Sequence, residues 1–299
     1  MASQEVQFKT IDGLTLSGRI YPSSGAVLGP AIILTGGVSR SYFATVKEMF
    51  IPDIAAQFQH AGITALIYDP RCTGASEGEP RQELDPHKQV SDYSDALTFL
   101  ASQPGVDASR IGFWGFSFGG IVALSAATLD SRVRWVVACC PLTNFTFDGK
   151  RARVLARTMR DRESIIKGNQ PFSLPVLTEE GLNPAGFGGA ADANNYRLIM
   201  DAFRNAPTYE NRTTLQTYYK IAGWNPLGLV SQLDSASVLL LTPQDDIIST
   251  AEDQTKLFDS IVADVKKHQH FEPEKGHMNI FGGESFARLM QVQIDFLQD

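Results

Sequence analysis

Three cysteines, Cys72, Cys139 and Cys140, are all that the 299 residues carry. The number is odd, two of them are adjacent and so poorly placed to bridge each other, and none has metal-ligand spacing, which excludes a disulfide framework and a thiolate zinc site. They are expected to be reduced packing residues of a cytoplasmic protein. Cationic excess is missing too: 26 Lys and Arg stand against 33 Asp and Glu, a formal net charge of -7. Such a surface attracts neither nucleic acid nor an anionic membrane, so neither is expected as a partner. No apolar run approaches bilayer-spanning length, and Met1-Ala2-Ser3-Gln4-Glu5-Val6 has no basic stretch leading into an apolar one, so the expectation is a soluble, unsecreted protein. A phosphate-loop lysine, a dinucleotide fingerprint and zinc-ligand spacing are absent, and no cofactor or metal is expected. Histidine is scarce, which narrows any search for a base to five positions.

What the chain does have is 43% hydrophobic residues, enough for a sizeable core in one large α/β domain. Val6–Thr10 and Leu14–Tyr21 alternate apolar and polar residues around Ile11-Asp12-Gly13, which predicts a hairpin. Short apolar runs follow at Ala31–Leu34, Thr64–Tyr68, Ile111–Trp114, Val133–Ala138 and Val238–Leu241. Helical stretches separate them at Val46–His60, where Pro52 marks a kink or boundary, and at His87–Leu100, Ser117–Leu129, Ala251–Val262 and Glu284–Leu297. Strands buried on both faces and divided by helices predict a mostly parallel central sheet flanked by helices. Between Leu142 and Trp224 the alternation stops, and the chain reads as helices joined by Asn183-Pro184-Ala185-Gly186-Phe187-Gly188-Gly189. A structureless loop of roughly 80 residues is rare in a compact domain, so residues 142–224 are expected to form a helical lid inserted after the sixth strand, with 1–141 and 225–299 as the core.

Ile111-Gly112-Phe113-Trp114 runs into Gly115-Phe116-Ser117-Phe118-Gly119, a G-x-S-x-G sequence behind a strand and ahead of a helical stretch. That order predicts a nucleophile elbow, with Ser117 in a strained turn and a glycine two positions to either side leaving room for it. A serine hydroxyl needs a base within hydrogen-bond reach, and the base needs an acid to orient it. His60 ends a helix, His87 begins one, and His268 and His270 fall in the last predicted strand. His277 follows Glu274-Lys275-Gly276 in a loop ahead of the C-terminal helix, where an imidazole can swing over the sheet edge; it is the candidate base. The buried run Leu239-Leu240-Leu241 leads into Asp245 and Asp246, either of which can receive the ring N–H. An oxyanion hole needs two backbone donors: Phe118, next after the nucleophile, and Gly37 or Val38 in the loop Thr35-Gly36-Gly37-Val38.

With these motifs in order the chain resembles the α/β-hydrolase family over nearly its whole length outside residues 142–224. Tyr68-Asp69-Pro70-Arg71-Cys72-Thr73-Gly74-Ala75-Ser76 is similar to the family's Asp-x-Arg-Gly-x-Gly-x-Ser loop, with Cys72 replacing a glycine. Ile247-Ile248-Ser249 resembles the sequence trailing the acid in related enzymes, which implies Asp246 rather than Asp245. Val46-Lys47-Glu48, Pro80-Arg81-Gln82-Glu83-Leu84-Asp85-Pro86 and Pro104 to Gly112 are similar to a subgroup that includes the fungal polyketide transferases and thiohydrolases of biosynthetic clusters. Two departures stand out: Thr35 replaces a frequent His or Pro, and Ser39-Arg40-Ser41-Tyr42 lengthens the oxyanion loop. The resemblance implies the α/β-hydrolase fold and a cofactor-independent acyl enzyme. Ser117 would attack an ester or thioester carbonyl, His277 would shuttle the proton, and water or another acceptor would resolve the intermediate. Three classes follow: a serine hydrolase, an acyl or polyketide transferase or carbon–carbon bond enzyme on the same scaffold, and a binding protein without turnover. The intact Ser117, Asp246 and His277 set argues against the third.

Phe116 and Phe118 flank the nucleophile, and residues 142–224 add Phe145, Phe147, Phe172 and Phe187. Such walls suit a small-molecule substrate with a fairly large apolar acyl group, with Phe116, Phe145 and Phe147 as candidate contacts. Lys150–Lys167 is locally basic, with Arg153, Arg157, Arg160 and Lys167 on one helical face and Leu155, Met159 and Ile166 on another. A solvated helix face is the default reading; the sharper one is an anionic partner, a phosphopantetheine-type thioester or the acidic acyl-carrier domain that holds it.

Overall fold

The alternation of apolar runs and helical stretches becomes an eight-stranded sheet between two helical layers in the computed structural model, which describes residues 2–24, 27–35, 45–187 and 200–298. The strands are β1 (Gln4–Lys9), β2 (Thr15–Tyr21), β3 (Gly29–Thr35), β4 (Thr64–Tyr68), β5 (Val106–Phe116), β6 (Trp135–Cys139), the short β7 (Ser173–Leu174) and β8 (Thr213–Thr214), β9 (Ser237–Pro243) and β10 (Lys267–Glu272). The helices are α1 (Ile51–His60), α2 (Pro86–Ala101), α3 (Phe118–Leu129), α4 (Arg151–Ile166), α5 (Leu215–Ala222), α6 (Pro226–Val230), α7 (Ala251–Ser260) and α8 (Ser285–Gln298). The main sheet runs β1-β2-β4-β3-β5-β6-β9-β10. β1 and β2 pair antiparallel, as do β2 and β4; from β4 to β10 every pairing is parallel.

Successive side chains of one strand point to opposite faces, so each central strand feeds both cores. Ile33, Phe113, Val136 and Leu240 pack with α2 and α3, while Ile32, Leu34, Trp114, Val137, Leu239 and Leu241 pack with α1 and α8. This two-sided burial is why the strands read as unbroken apolar runs.

Two boundaries differ most from the sequence expectation, by five residues each. α1 starts at Ile51, because Pro52 sits in the first turn and Phe50 is held at φ 64, so Val46–Phe50 is turn rather than helix. β5 starts five residues early: Asp107-Ala108-Ser109-Arg110 is too polar to read as a buried strand, yet it continues the pairing past an irregularity opposite Gly29–Ala31.

Between β6 and β9 the chain is not purely helical. β7 and β8 form a small antiparallel pair between α4 and α5. The expected apolar stripe of α4 is out of phase: Val154, Thr158 and Asp161 are buried, whereas Met159 and Ile166 are exposed. Asp161 tolerates burial because it accepts from Phe172 N (2.8 Å) and Gln216 Nε2 (2.7 Å). The segment is tied to the core loop ahead of α2: Thr213 Oγ1 donates to Gln82 O (2.8 Å), Thr214 Oγ1 to Glu83 (2.8 Å), and Leu84 N to Thr217 Oγ1 (2.9 Å). Gly188 and Gly189 of the expected connecting loop lie outside the described residues. No helix among the described residues is long and apolar enough to cross a membrane.

Candidate active site

The turn from β5 into α3 places Ser117 at φ 56, ψ -118, a left-handed conformation that costs a non-glycine residue energy and persists only where its surroundings fix it. The fixing groups are on β6 and just beyond: Ser117 N donates to Cys139 O (2.8 Å), and Leu142 N donates to Ser117 O (3.0 Å). Chain crowding explains the glycine ahead of it. A Cβ on Gly115 would lie 2.1 Å from Gly119 O, a distance no side chain can occupy.

β10 ends at Glu272, and the following loop carries His277 over the C-terminal ends of the parallel strands. Its Nε2 is 2.7 Å from Ser117 Oγ, and its Nδ1 is 2.7 Å from Asp246 Oδ2. All three residues are buried. Asp246 stands just past β9, where its Oδ1 accepts from Ile248 N (2.8 Å) and Ser249 N (2.9 Å). Asp245 is exposed and instead donates its backbone N–H to Lys275 O (2.8 Å). Of the two carboxylates at the end of β9, Asp246 is therefore the one that faces the imidazole. His60, His87, His268 and His270 lie on α1, α2 and β10, away from this cluster.

Several neighbours were not legible in the sequence. Gln254 of α7 is fully buried and donates to Asp246 Oδ2 (3.2 Å) and Ser249 O (2.6 Å). Ser249 Oγ donates to Pro141 O (2.7 Å) and lies 2.9 Å from Thr143 Oγ1, tying the acid's loop to the exit of β6. Lys47 is buried against Asp69 (Nζ to Oδ2, 2.8 Å), and Thr35 meets Tyr93 OH at 2.6 Å, so both stems flanking residues 36–44 are anchored. Neither the loop Asp69–Ser76 nor hydropathy gives a sign of a lysine buried against Asp69.

The expected wall residues separate. Phe116 is half-buried, its ring centroid 5.3 Å from the His277 ring. Phe145 is half-buried against Trp224 and lines a cleft of about 410 Å³ with Thr143, Asn144 and Leu257. Phe147 departs from the expectation: it is 2% exposed and packed on Phe187 and Tyr218, so its ring is part of the main core. Phe118 likewise turns its ring inward against Trp224, while as first residue of α3 it has a backbone N–H without an intrahelical acceptor. Gly37 and Val38 lie outside the described residues. Arg153, Arg157 and Arg160 are exposed along α4.

Among the described residues, the donor set nearest to a metal site is Cys140, Asp246 and His277, whose ligand atoms lie within 4.8 Å of one another. These atoms are engaged already: Asp246 Oδ2 and His277 Nδ1 bond each other, and the Cys140 thiol, which burial pushes well up, points to His277 O at 3.9 Å. A metal ligand would have to be a thiolate, so this set does not suit one.

Comparison with known proteins agrees with the geometry. The profile of the alpha/beta hydrolase family matches residues 31–289. A thiohydrolase of Eupenicillium brefeldianum is 47% identical over 99% of this chain and 94% of its own length. A polyketide transferase of Stachybotrys chlorohalonatus is 40% identical over 100% of this chain and 97% of its own. Among solved structures, the alpha/beta hydrolase GrgF of a Penicillium species superposes with a TM-score of 0.87 at 36% identity, covering 100% of this chain and 98% of that one.

Proposed function

The chain belongs to the alpha/beta hydrolase family, and from that premise we propose that it is a serine acyl enzyme that cleaves a thioester or ester of a fairly large apolar, polyketide-like acyl group. The observation that carries this reading is the hydrogen-bonded line from Ser117 through His277 to Asp246, two links of 2.7 Å, with the serine held in a left-handed turn. His277 Nε2 takes the Ser117 proton as Oγ attacks the carbonyl carbon, and Asp246 holds the Nδ1–H tautomer and balances the imidazolium that forms. Phe118 N–H supports the oxyanion, together with a donor from Gly37 or Val38. The tetrahedral intermediate collapses, the leaving thiol or alcohol takes the proton from His277, and an acyl-serine remains. His277 then deprotonates water, whose oxygen attacks the acyl carbon; the bond from that carbon to Ser117 Oγ breaks, Oγ takes the proton back from His277, and the acid is released.

A second reading keeps the first half and replaces water with another acceptor. It is favoured by the relatives named polyketide transferase and acyltransferase, which match nearly the whole chain. In both readings residues 142–224 act as a lid that shapes the acyl site, with Phe116 and Phe145 as walls, and Arg153, Arg157 and Arg160 receive the anionic carrier of the thioester.

Fluorophosphonate labelling with peptide mapping tests the nucleophile: Ser117 is the expected labelled residue, and a folded protein left unlabelled there refutes the assignment. A thioester panel in water, with and without alcohol acceptors, then divides hydrolysis from transfer by whether free acid or ester accumulates.

A further inference from the structure

Burying an amide side chain is costly unless its polar atoms are used, and Gln254 is fully buried on α7. Its Nε2 meets two acceptors, Asp246 Oδ2 and Ser249 O, while its Oε1 is buried without a partner, a cost borne for the two bonds of the nitrogen. Turning the amide over would set Oε1 against a carboxylate and a carbonyl, so the nitrogen must face them. Four N–H groups therefore converge on the Asp246 carboxylate: Ile248 N and Ser249 N on Oδ1, and His277 Nδ1 and Gln254 Nε2 on Oδ2. The backbone pair fixes one oxygen. Gln254 fixes the other, the oxygen that orients the imidazole.

We infer that Gln254 is a positioning residue for the acid: it sets the rotation of the Asp246 carboxylate and through Ser249 O locks the loop to α7. This rests on the reading of Ser117, His277 and Asp246 as a triad. Among the described residues, the charged and titratable groups facing the imidazole are Asp246 on the Nδ1 side and the Cys140 thiol, which burial pushes up and keeps neutral. A change in the pH profile on altering Gln254 thus reports on the hydrogen-bonded pair of Asp246 and His277.

The test compares wild type with Gln254→Met, which keeps the volume and removes the donor, and Gln254→Glu, which keeps the shape and sets a second carboxyl against the acid. Thermal melts identify folded variants. For Gln254→Met a loss of kcat of about tenfold or more is expected, with KM within about twofold and the acid limb of the kcat/KM profile moved to higher pH. Gln254→Glu is expected to lose more at pH 8 and to recover part of its activity as the pH falls and one proton comes to be shared between the carboxyls. The low-field proton resonance of His277 Nδ1–H gives a readout independent of turnover: it shifts and exchanges faster in either variant. A folded variant with wild-type kcat, pH profile and Nδ1–H resonance overturns the inference. If wild-type Ser117 fails to label, the functional reading falls instead, and the Nδ1–H resonance still decides whether Gln254 holds Asp246.

Discussion

Lys220 on α5 reaches back to Glu83 in the loop ahead of α2, its Nζ 2.8 Å from Oε1, and it also meets Asp85 at 3.1 Å. This half-buried pair, with Thr214 on the other Glu83 oxygen, fastens the base of residues 142–224 to the core. Lys220→Met is expected to cost about 1–3 kcal/mol of local stability, because Glu83 keeps its burial and loses its cation. Limited proteolysis checks it: cleavage between 142 and 224 should accelerate, and KM should rise more for long-chain than for short-chain thioesters. Equal digestion rates would rule the fastening role out.

Ser117 has two separable effects. Ser117→Ala should abolish labelling and leave only the weak residual rate, about 10³–10⁴ over water, that binding and oxyanion donors sustain without the serine. Ser117→Gly should be equally inactive and yet more stable than Ser117→Ala by about 1 kcal/mol, since φ 56 carries no penalty in glycine. Differential scanning calorimetry of the two variants decides; a glycine variant melting at or below the alanine one contradicts the strain.

Gly115→Ala should fail more severely than either. The added methyl meets Gly119 O at 2.1 Å, and relief requires moving β5 away from α3, at a cost of about 3 kcal/mol or more. Soluble yield and thermal midpoint measure this, and a variant with a wild-type midpoint would show that the elbow can open.

Acid stability should depend on Asp12. Hydrogen bonds from Arg71 first, then Thr10 and Lys88, hold its carboxyl well below the ordinary 3.8. A carboxyl lowered in the folded state contributes stability that is present above the unfolded value and is lost as pH falls through the folded one. The gap between wild type and Asp12→Asn in urea midpoints should be full at pH 7 and close progressively below about pH 4. A gap independent of pH would remove Asp12 from the acid response.

The features legible in the sequence were those written into local pattern. Apolar runs marked the strands because both faces of the sheet are covered, and the glycines around Ser117 marked the elbow because the turn excludes side chains. What stayed hidden depends on partners far away in the chain. Only the likeness of Ile247-Ile248-Ser249 to the sequence trailing the acid favours Asp246 over Asp245; the physical reason lies in the turn beyond β9, which exposes one and aims the other at His277. The buried stripe of α4 was misread because Asp161 finds Gln216 and Phe172 N, which hydropathy cannot register. Gln254 looked like any polar helical residue until α7 was seen to lie behind the acid.

The bond between Ser117 and His277 joins positions 160 residues apart. Closing it requires β9 and β10 to add to an already formed β6, one of the slow, non-local steps of assembly. While the chain is being synthesised, the serine therefore sits beside an unfinished sheet with no base within reach. The 2.7 Å contact between Ser117 and His277 thus exists only in a molecule whose sheet is complete through β10, and its presence reports a finished sheet.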